Sequence, residues 1–276
     1  MKKILTLTLF LCVASSALAL PFGSQSALVI DESSGQVLLE KNADNVVPIA
    51  SLTKLMTAMV VLDARLDMEE LINIDEQDVD VIKHSTSRVP VGASIARKDV
   101  LQLALMSSDN RAAASLARTY PGGIAAFDVA VQAKLLALGM THTTIEEPTG
   151  LSFHNTSTAS DLVKMASAAS TYADISRITT DSRDLISIKG RQVEYHNTNG
   201  FVGKKGWDIM LSKTGYTVEA GRCIIMKIKA AGKNVIMVLL NAGANSTRNR
   251  DALNVRRFLS DEKVAVIKPR HPKVRV

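Results

Sequence analysis

The stretch Ser51-Leu52-Thr53-Lys54-Leu55-Met56-Thr57-Ala58-Met59-Val60-Val61-Leu62 decides how this chain reads. It holds good helix formers and no Gly or Pro. Leu52, Leu55, Met56, Met59 and Leu62 recur at helical spacing, so a helix is expected over 51–65. Ser51 opens that helix, and Lys54 lies one turn on, on the same face. The first turn leaves backbone N–H groups without partners and carries partial positive charge, which suits a developing oxyanion. A serine hydroxyl is a poor nucleophile until a neighbouring base takes its proton. Lys54 can be that base only while neutral, and an exposed lysine titrates near about 10.4. Desolvation, a helix N-terminus and a second cation all lower that value.

Two more short patterns follow in order, Ser108-Asp109-Asn110 and Lys213-Thr214-Gly215. Lys213 is a candidate for the second cation. Ser108 can accept and donate, and so can pass a proton toward a leaving amine, while the Asn110 amide can hold Lys54 in place. Each pattern also has a plain structural reading. Ser51 could be only an N-cap. Ser108-Asp109-Asn110 could be a polar turn between helices, and Lys213-Thr214-Gly215 a fraying strand end. Ser-x-x-Lys even recurs at Ser260 and Lys263, beside Asp261 and Glu262, which would keep that lysine charged. The three patterns in one order and in suitable contexts favour chemistry. His84, His142, His154, His196 and His271 form no triad or metal-ligand pattern, so neither a metal nor another cofactor is implied.

Residues 1–19 read as a secretory signal: Lys2 and Lys3, an apolar stretch from Ile4 to Val13, then Ala17-Leu18-Ala19. The apolar run is short for a bilayer. Export is expected, with a mature body over 20–267. Cys12 would leave with the signal, so Cys223 stands alone and reads as packing rather than nucleophile. Leu11 before Cys12 disfavours a lipoprotein. The net charge is +6; without Lys2 and Lys3 it is +4, and without the four cations of 268–276 it is zero. The basicity therefore sits in a Pro-containing tail expected to be solvated and disordered, which argues against a nucleic-acid-binding face.

The periodicities indicate an α/β body. Ala27 to Asp31 and Gln36 to Glu40 flank a turn as a hairpin. From 67 to 170 the chain is expected to be mainly helical, with helices Lys98 to Met106 and Arg111 to Arg118 on either side of Ser108-Asp109-Asn110. After a less regular stretch come strands Trp207 to Lys213, Gly221 to Lys229 and Asn234 to Asn241, with Thr214 to Ala220 as a connection. A helix from Thr247 to Leu259 closes the body. Strands at both ends with helices between imply one sheet closed by both termini and an inserted helical subdomain.

The motif trio is the signature of penicillin-binding proteins and class A β-lactamases. The segments Pro48-Ile49-Ala50-Ser51, Ser107-Ser108-Asp109-Asn110-Arg111-Ala112, Glu147-Pro148-Thr149-Gly150-Leu151-Ser152 and Lys213-Thr214-Gly215-Tyr216-Thr217 resemble the low-molecular-mass penicillin-binding proteins, which are serine D-alanyl-D-alanine peptidases, and within them the penicillin-binding protein 7 type endopeptidases. The resemblance implies the penicillin-binding-protein/β-lactamase-like α/β fold, an antiparallel sheet flanked by helices with an all-helical insertion. It implies that Ser51 forms an acyl-enzyme, that Lys54 accepts its proton, and that Ser108 and Asn110 are the second catalytic element. Lys213, Thr214 and Gly215 would bind substrate, and the backbone N–H groups of Ser51 and Tyr216 would hold the oxyanion. The partners implied are D-Ala-containing peptidoglycan peptides and, as covalent inhibitors, β-lactams; nucleic acid and a stable membrane anchor are not.

Related carboxypeptidases usually carry a further β-rich domain and an amphipathic membrane helix. The sequence here stops soon after the closing helix, which leans toward a periplasmic endopeptidase over a D-alanyl-D-alanine carboxypeptidase. A class A β-lactamase would need a carboxylate to activate a deacylating water, for which Glu146 and Glu147 are the candidates. A non-catalytic muropeptide-binding protein would not need three intact motifs.

Overall fold

A computed structural model of the chain describes residues 21–260. Residues 1–19, read above as a secretory signal, and the tail 268–276 lie outside the described residues. The chain enters as a hairpin of β1 (Ser26–Asp31) and β2 (Val37–Lys41), then touches a short strand β3 (Val47–Pro48). A single 3-10 turn over Ala50–Thr53 feeds α1 (Lys54–Asp63). The expected helix thus opens on a tighter turn that contains Ser51. Every residue of α1 from Lys54 to Val61 is buried, so the helix runs through the middle of the helical layer.

Residues 67–96, expected to be helical, instead carry a 3-10 turn (Glu76–Asp78) and the antiparallel pair β4 (Leu71–Asn73) and β5 (Ser94–Ala96). Strands of three residues are too short to show a period. Helices α2 (Arg97–Met106) and α3 (Asn110–Arg118) follow as expected, then α4 (Gly123–Ala137), β6 (Thr156–Ser157) paired with β3, and α5 (Ala159–Ala169). The stretch read as irregular holds α6 (Ala173–Thr180) and the hairpin of β7 (Arg183–Ile188) and β8 (Arg191–His196).

Three long strands complete the main sheet: β9 (Asp208–Thr217), β10 (Gly221–Ala230) and β11 (Lys233–Ala242); α7 (Asn245–Leu259) closes the body. The order is β2-β1-β11-β10-β9, antiparallel throughout, so β1 from one end of the chain pairs β11 from the other. Strand β9 runs on through Lys213-Thr214-Gly215 to Thr217, so that motif lies inside an edge strand and not at its end. Among the described residues no helix is long and apolar enough to cross a membrane.

The central strands read as continuous apolar runs because both sheet faces are covered. Their alternation sorts the side chains into two cores. Leu28, Ile225, Ile236 and Val238 join the helical layer around α1, whereas Val29, Ile224, Met237 and Leu239 pack with Ala252 and Val255 of α7. Cys223 lies in the first core, and burial raises its thiol to about 11, in keeping with packing.

Candidate active site

The site forms where the N-terminal end of α1 meets edge strand β9 and the α2–α3 link. Close backbone approach makes the junction. A Cβ on Gly215 would stand 2.9 Å from the Ile49 carbonyl oxygen and 3.3 Å from the Ser51 nitrogen, so only glycine lets β9 come this near. Gly150, at φ +84°, is tighter: an added Cβ would lie 2.0 Å from the Ala50 carbonyl oxygen. Ala50 (φ +47°) and Ser108 (φ +61°) themselves adopt left-handed backbone, which costs a non-glycine residue about 1–3 kcal/mol and concentrates at functional sites.

Lys54 is 1% exposed, and its Nζ has three acceptors. It lies 2.9 Å from Ser51 Oγ, 2.7 Å from Asn110 Oδ1 and 2.6 Å from the Thr149 carbonyl oxygen. As an ammonium it donates to all three. As a neutral amine it has two hydrogens, and the amide and carbonyl oxygens can only accept. Those two hydrogens therefore belong to Asn110 and Thr149, and the lone pair is left for the Ser51 hydroxyl. Burial lowers Lys54 to about 8, against the opposing pull of Glu147, Asp109 and Asp80. Lys213, also 1% exposed, is lowered well below its ordinary value by burial and by the charge on Lys54. Its Nζ donates to Ser108 Oγ at 2.8 Å and to the Thr214 carbonyl at 3.1 Å.

Asp109 is the N-cap of α3, accepting from the Ala112 N–H at 3.0 Å, so part of the middle motif has a structural task. Its neighbours face the site: Asn110 bonds Lys54, and Ser108 bonds Lys213. The structure thus brings together Ser51, Lys54, Ser108, Asn110, Lys213 and Thr214, with Gly215 and Tyr216 beside them. By contrast, Ser260 of the chance repeat sits at the C-terminal end of α7, and Lys263 lies outside the described residues.

Several participants take roles that the sequence patterns did not specify. Glu147 accepts from the backbone N–H groups of Thr149 (2.7 Å), Gly150 (2.6 Å) and Leu151 (2.8 Å), and from Asn155 Nδ2 (3.1 Å). It thereby shapes the loop that offers the Thr149 carbonyl to Lys54. Its oxygens are filled, while Glu146 is exposed with one oxygen held by the Ser152 hydroxyl; neither candidate carboxylate is hydrogen-bonded to Ser51 or Lys54. Thr198 Oγ1 accepts from Thr214 Oγ1 at 2.7 Å.

Ser51 opens into a groove of about 330 Å³ that Ser108, Thr198, Thr214, Arg222 and Arg248 help to line. The Arg222 guanidinium lies 3.3 Å over the Tyr216 ring. The pKa of Arg248 is lowered by burial and by the neighbouring charge of Arg222, and neither arginine has a carboxylate partner among the described residues. This end of the groove therefore concentrates two guanidinium charges beside the serine. A larger, mostly apolar cavity of about 510 Å³ touches Asn110 and Thr149 but not Ser51.

Residues 14–244 match the peptidase S11 family model, described as D-alanyl-D-alanine carboxypeptidase. A D-alanyl-D-alanine endopeptidase of Pseudomonas aeruginosa is 44% identical, over 96% of this chain and 90% of that protein. An Escherichia coli protein of the same name is 43% identical, over 91% of this chain and 82% of its own. Among solved structures, the Streptomyces K15 DD-transpeptidase superposes with a TM-score of 0.81 at 24% identity, covering 87% of this chain and 98% of that one, which establishes the fold.

Proposed function

This chain belongs to the peptidase S11 family, and from that premise we propose that it is a serine D-alanyl-D-alanine endopeptidase acting on D-Ala–diaminopimelate crosslinks of peptidoglycan. The carrying observation is the Lys54 amine, committed to two obligate acceptors and to one hydroxyl, that of Ser51. Ser51 Oγ attacks the D-Ala carbonyl carbon while its proton moves to Lys54 Nζ. The C–O bond forms, and the oxyanion rests on the backbone N–H groups of Ser51 and Tyr216. The proton then reaches the leaving nitrogen through Ser108, which Lys213 holds, and the C–N bond breaks. Water reverses these steps on the acyl-enzyme.

The residue whose amine leaves carries a carboxylate next to the scissile amide. Thr214 supplies a matching donor, as do Arg222 and Arg248, which have no carboxylate partner among the described residues. Penicillin presents the same pairing of amide and carboxylate, with the amide strained in its four-membered ring, and acylates Ser51. We place the enzyme in the periplasm on the strength of the signal-like sequence at residues 1–19.

A carboxypeptidase reading has the family description in its favour. Purified protein given crosslinked muropeptide dimers and monomer pentapeptides separates the two. The endopeptidase converts dimers to monomers and releases little free D-Ala from pentapeptide. Dominant D-Ala release with dimers untouched overturns it.

A further inference from the structure

Two loops stand on either side of Ser51. On the helical side, residues 79–85 run beside the N-terminal end of α3, where Ser85 Oγ is 2.8 Å from Asn110 Nδ2. The Asp80 carboxylate shapes this loop by accepting from the backbone N–H groups of Ile82 (2.8 Å), Lys83 (3.0 Å) and Ser85 (2.7 Å). On the strand side, β9 and β10 join through Val218, Glu219 and Ala220, just beyond Tyr216. The Ala220 N–H donates to Thr217 Oγ1 at 3.1 Å and fixes that turn. Between the loops lies the floor of the cleft, where Lys54 and Lys213 are each 1% exposed. The loops meet above it. Lys83 Nζ donates to a Glu219 carboxylate oxygen, joining positions 136 apart in the chain. The two side chains are 31% and 37% exposed, so this ion pair sits at the mouth and not on the floor. The bond from Lys83 holds the Glu219 carboxyl below its ordinary pKa, which keeps that end of the pair charged. Among the described residues no other hydrogen bond or ion pair links 79–85 to 216–220.

The pair also falls at a definite place along the cleft. Asn110 lines both the groove at Ser51 and the apolar cavity, whereas Ile82, next to Lys83, lines only the cavity. In the reading above, Thr214, Arg222 and Arg248 take the carboxylate side of the scissile amide at the groove end. The acyl side therefore leaves toward the cavity, past Lys83 and Glu219. Connectivity of the substrate gives this crossing its meaning. In the intact wall each half of a crosslink is tied to a glycan strand, so the peptide has no free end. Such a chain enters a cleft only sideways, through the open mouth. A penicillin, or a peptide cut from its glycan, has an end and can slide in lengthwise. We propose that Lys83 and Glu219 form a clasp across the acyl side of the cleft, one that must part to admit a crosslink within the intact wall and that free-ended substrates bypass. This rests on the endopeptidase reading. An exposed ion pair biases its contact by only about 1.5- to fivefold, so thermal opening suffices for turnover.

Lys83→Met and Glu219→Gln remove the pair while keeping side-chain bulk. Both should digest intact sacculi about two- to fivefold faster than wild type, with fluorescent-penicillin labelling and cleavage of sugar-free crosslinked peptides unchanged. The exchanged pair, Lys83→Glu with Glu219→Lys, should return the wild-type rate. Conversely, Lys83→Cys with Glu219→Cys can be bridged by a bis-methanethiosulfonate, which forms a disulfide with each thiol, releases sulfinate and is undone by dithiothreitol. Cys223 is buried and does not compete. The bridged enzyme should lose sacculus digestion, keep penicillin labelling and cleavage of sugar-free dimers, and recover with dithiothreitol. Sacculus digestion that survives bridging, or charge variants no faster than wild type on sacculi, overturns the clasp. Equal loss on sacculi and on sugar-free dimers overturns it too, since the pair would then block the cleft instead of sorting by connectivity. If bridging also silences penicillin labelling, the tether has reshaped the site, and the charge variants decide. A wild type that leaves sugar-free dimers uncut while releasing D-Ala from pentapeptide removes the endopeptidase reading instead.

Discussion

Lys54 should reveal its depressed pKa in stability as well as in rate. Folding buries its amine, and the native state releases the proton near about 8, while the unfolded chain holds it until about 10.5. Between those values the unfolded chain binds more protons, so stability rises with pH across that window. From pH 7 to pH 10 the rise attributable to this one group is about 2.5 kcal/mol. Below pH 8 the native state carries the full cost of a buried ammonium. Lys54→Met keeps the length and removes the titration. Urea denaturation of both proteins at several pH values isolates the effect, because most other titrating groups cancel in the difference. Lys213 does not cancel fully, but its depression is deepened by Lys54, so its change has the same sign. Wild type should gain about 2–3 kcal/mol on the methionine variant between pH 7 and 10, while the variant loses acylation by at least about 10²-fold. A difference that stays flat with pH would mean that native Lys54 is charged throughout, and the general-base argument would fall with it.

Ser51→Ala should abolish both dimer cleavage and penicillin labelling, since no second serine is placed against Lys54; a gel with fluorescent penicillin reads this directly. Gly150→Ala should cost more than about 3 kcal/mol or prevent folding, because its Cβ would meet the Ala50 carbonyl at 2.0 Å on left-handed backbone; its melting temperature decides. The penicilloyl-enzyme should persist for minutes in a pulse–chase experiment, because Glu147 is committed to its own loop and neither it nor Glu146 is hydrogen-bonded to Ser51 or Lys54. Rapid loss of label with excess hydrolysed antibiotic would refute that.

What could be read from sequence follows from distance along the chain. Ser51 and Lys54 share one turn, so helical spacing alone joined them. The two long core strands announced themselves by unbroken apolar runs. The partners that finish the site come from far away. Thr149 is separated from Lys54 by 95 positions, and Glu147 acts by shaping the loop that carries Thr149 and by its charge. Ser85 reaches Asn110 across 25. The segment from Glu147 to Ser152 stood out by resemblance, but no local pattern told what its glutamate or its carbonyl does, and Ser85 carries no local mark at all. The continuation of β9 was hidden because Thr214-Gly215-Tyr216-Thr217 carries turn-like residues. There the glycine serves close approach to Ile49 and Ser51 and not a bend. The β7–β8 hairpin escaped notice because its strands alternate between exposed charge and a few buried residues, with Lys189-Gly190 at the turn.

The division of the sheet into two cores separates neighbours in the chain and joins residues far apart in it. Ile224 and Ile225 are adjacent, yet Ile225 pairs across to Val238 on the α1 side, while Ile224 pairs across to Leu239 on the α7 side. Substitutions at 224 and 225 should therefore be nearly additive, whereas 225 and 238 should show coupling. The same partition backs the two walls of the groove independently, with Lys54 rooted in one core and Arg248, on α7, anchored over the other. Repacking under α7 can retune the arginine-lined wall while the proton-transfer wall keeps its geometry, which gives such a scaffold room to change what it grips without changing how it cuts.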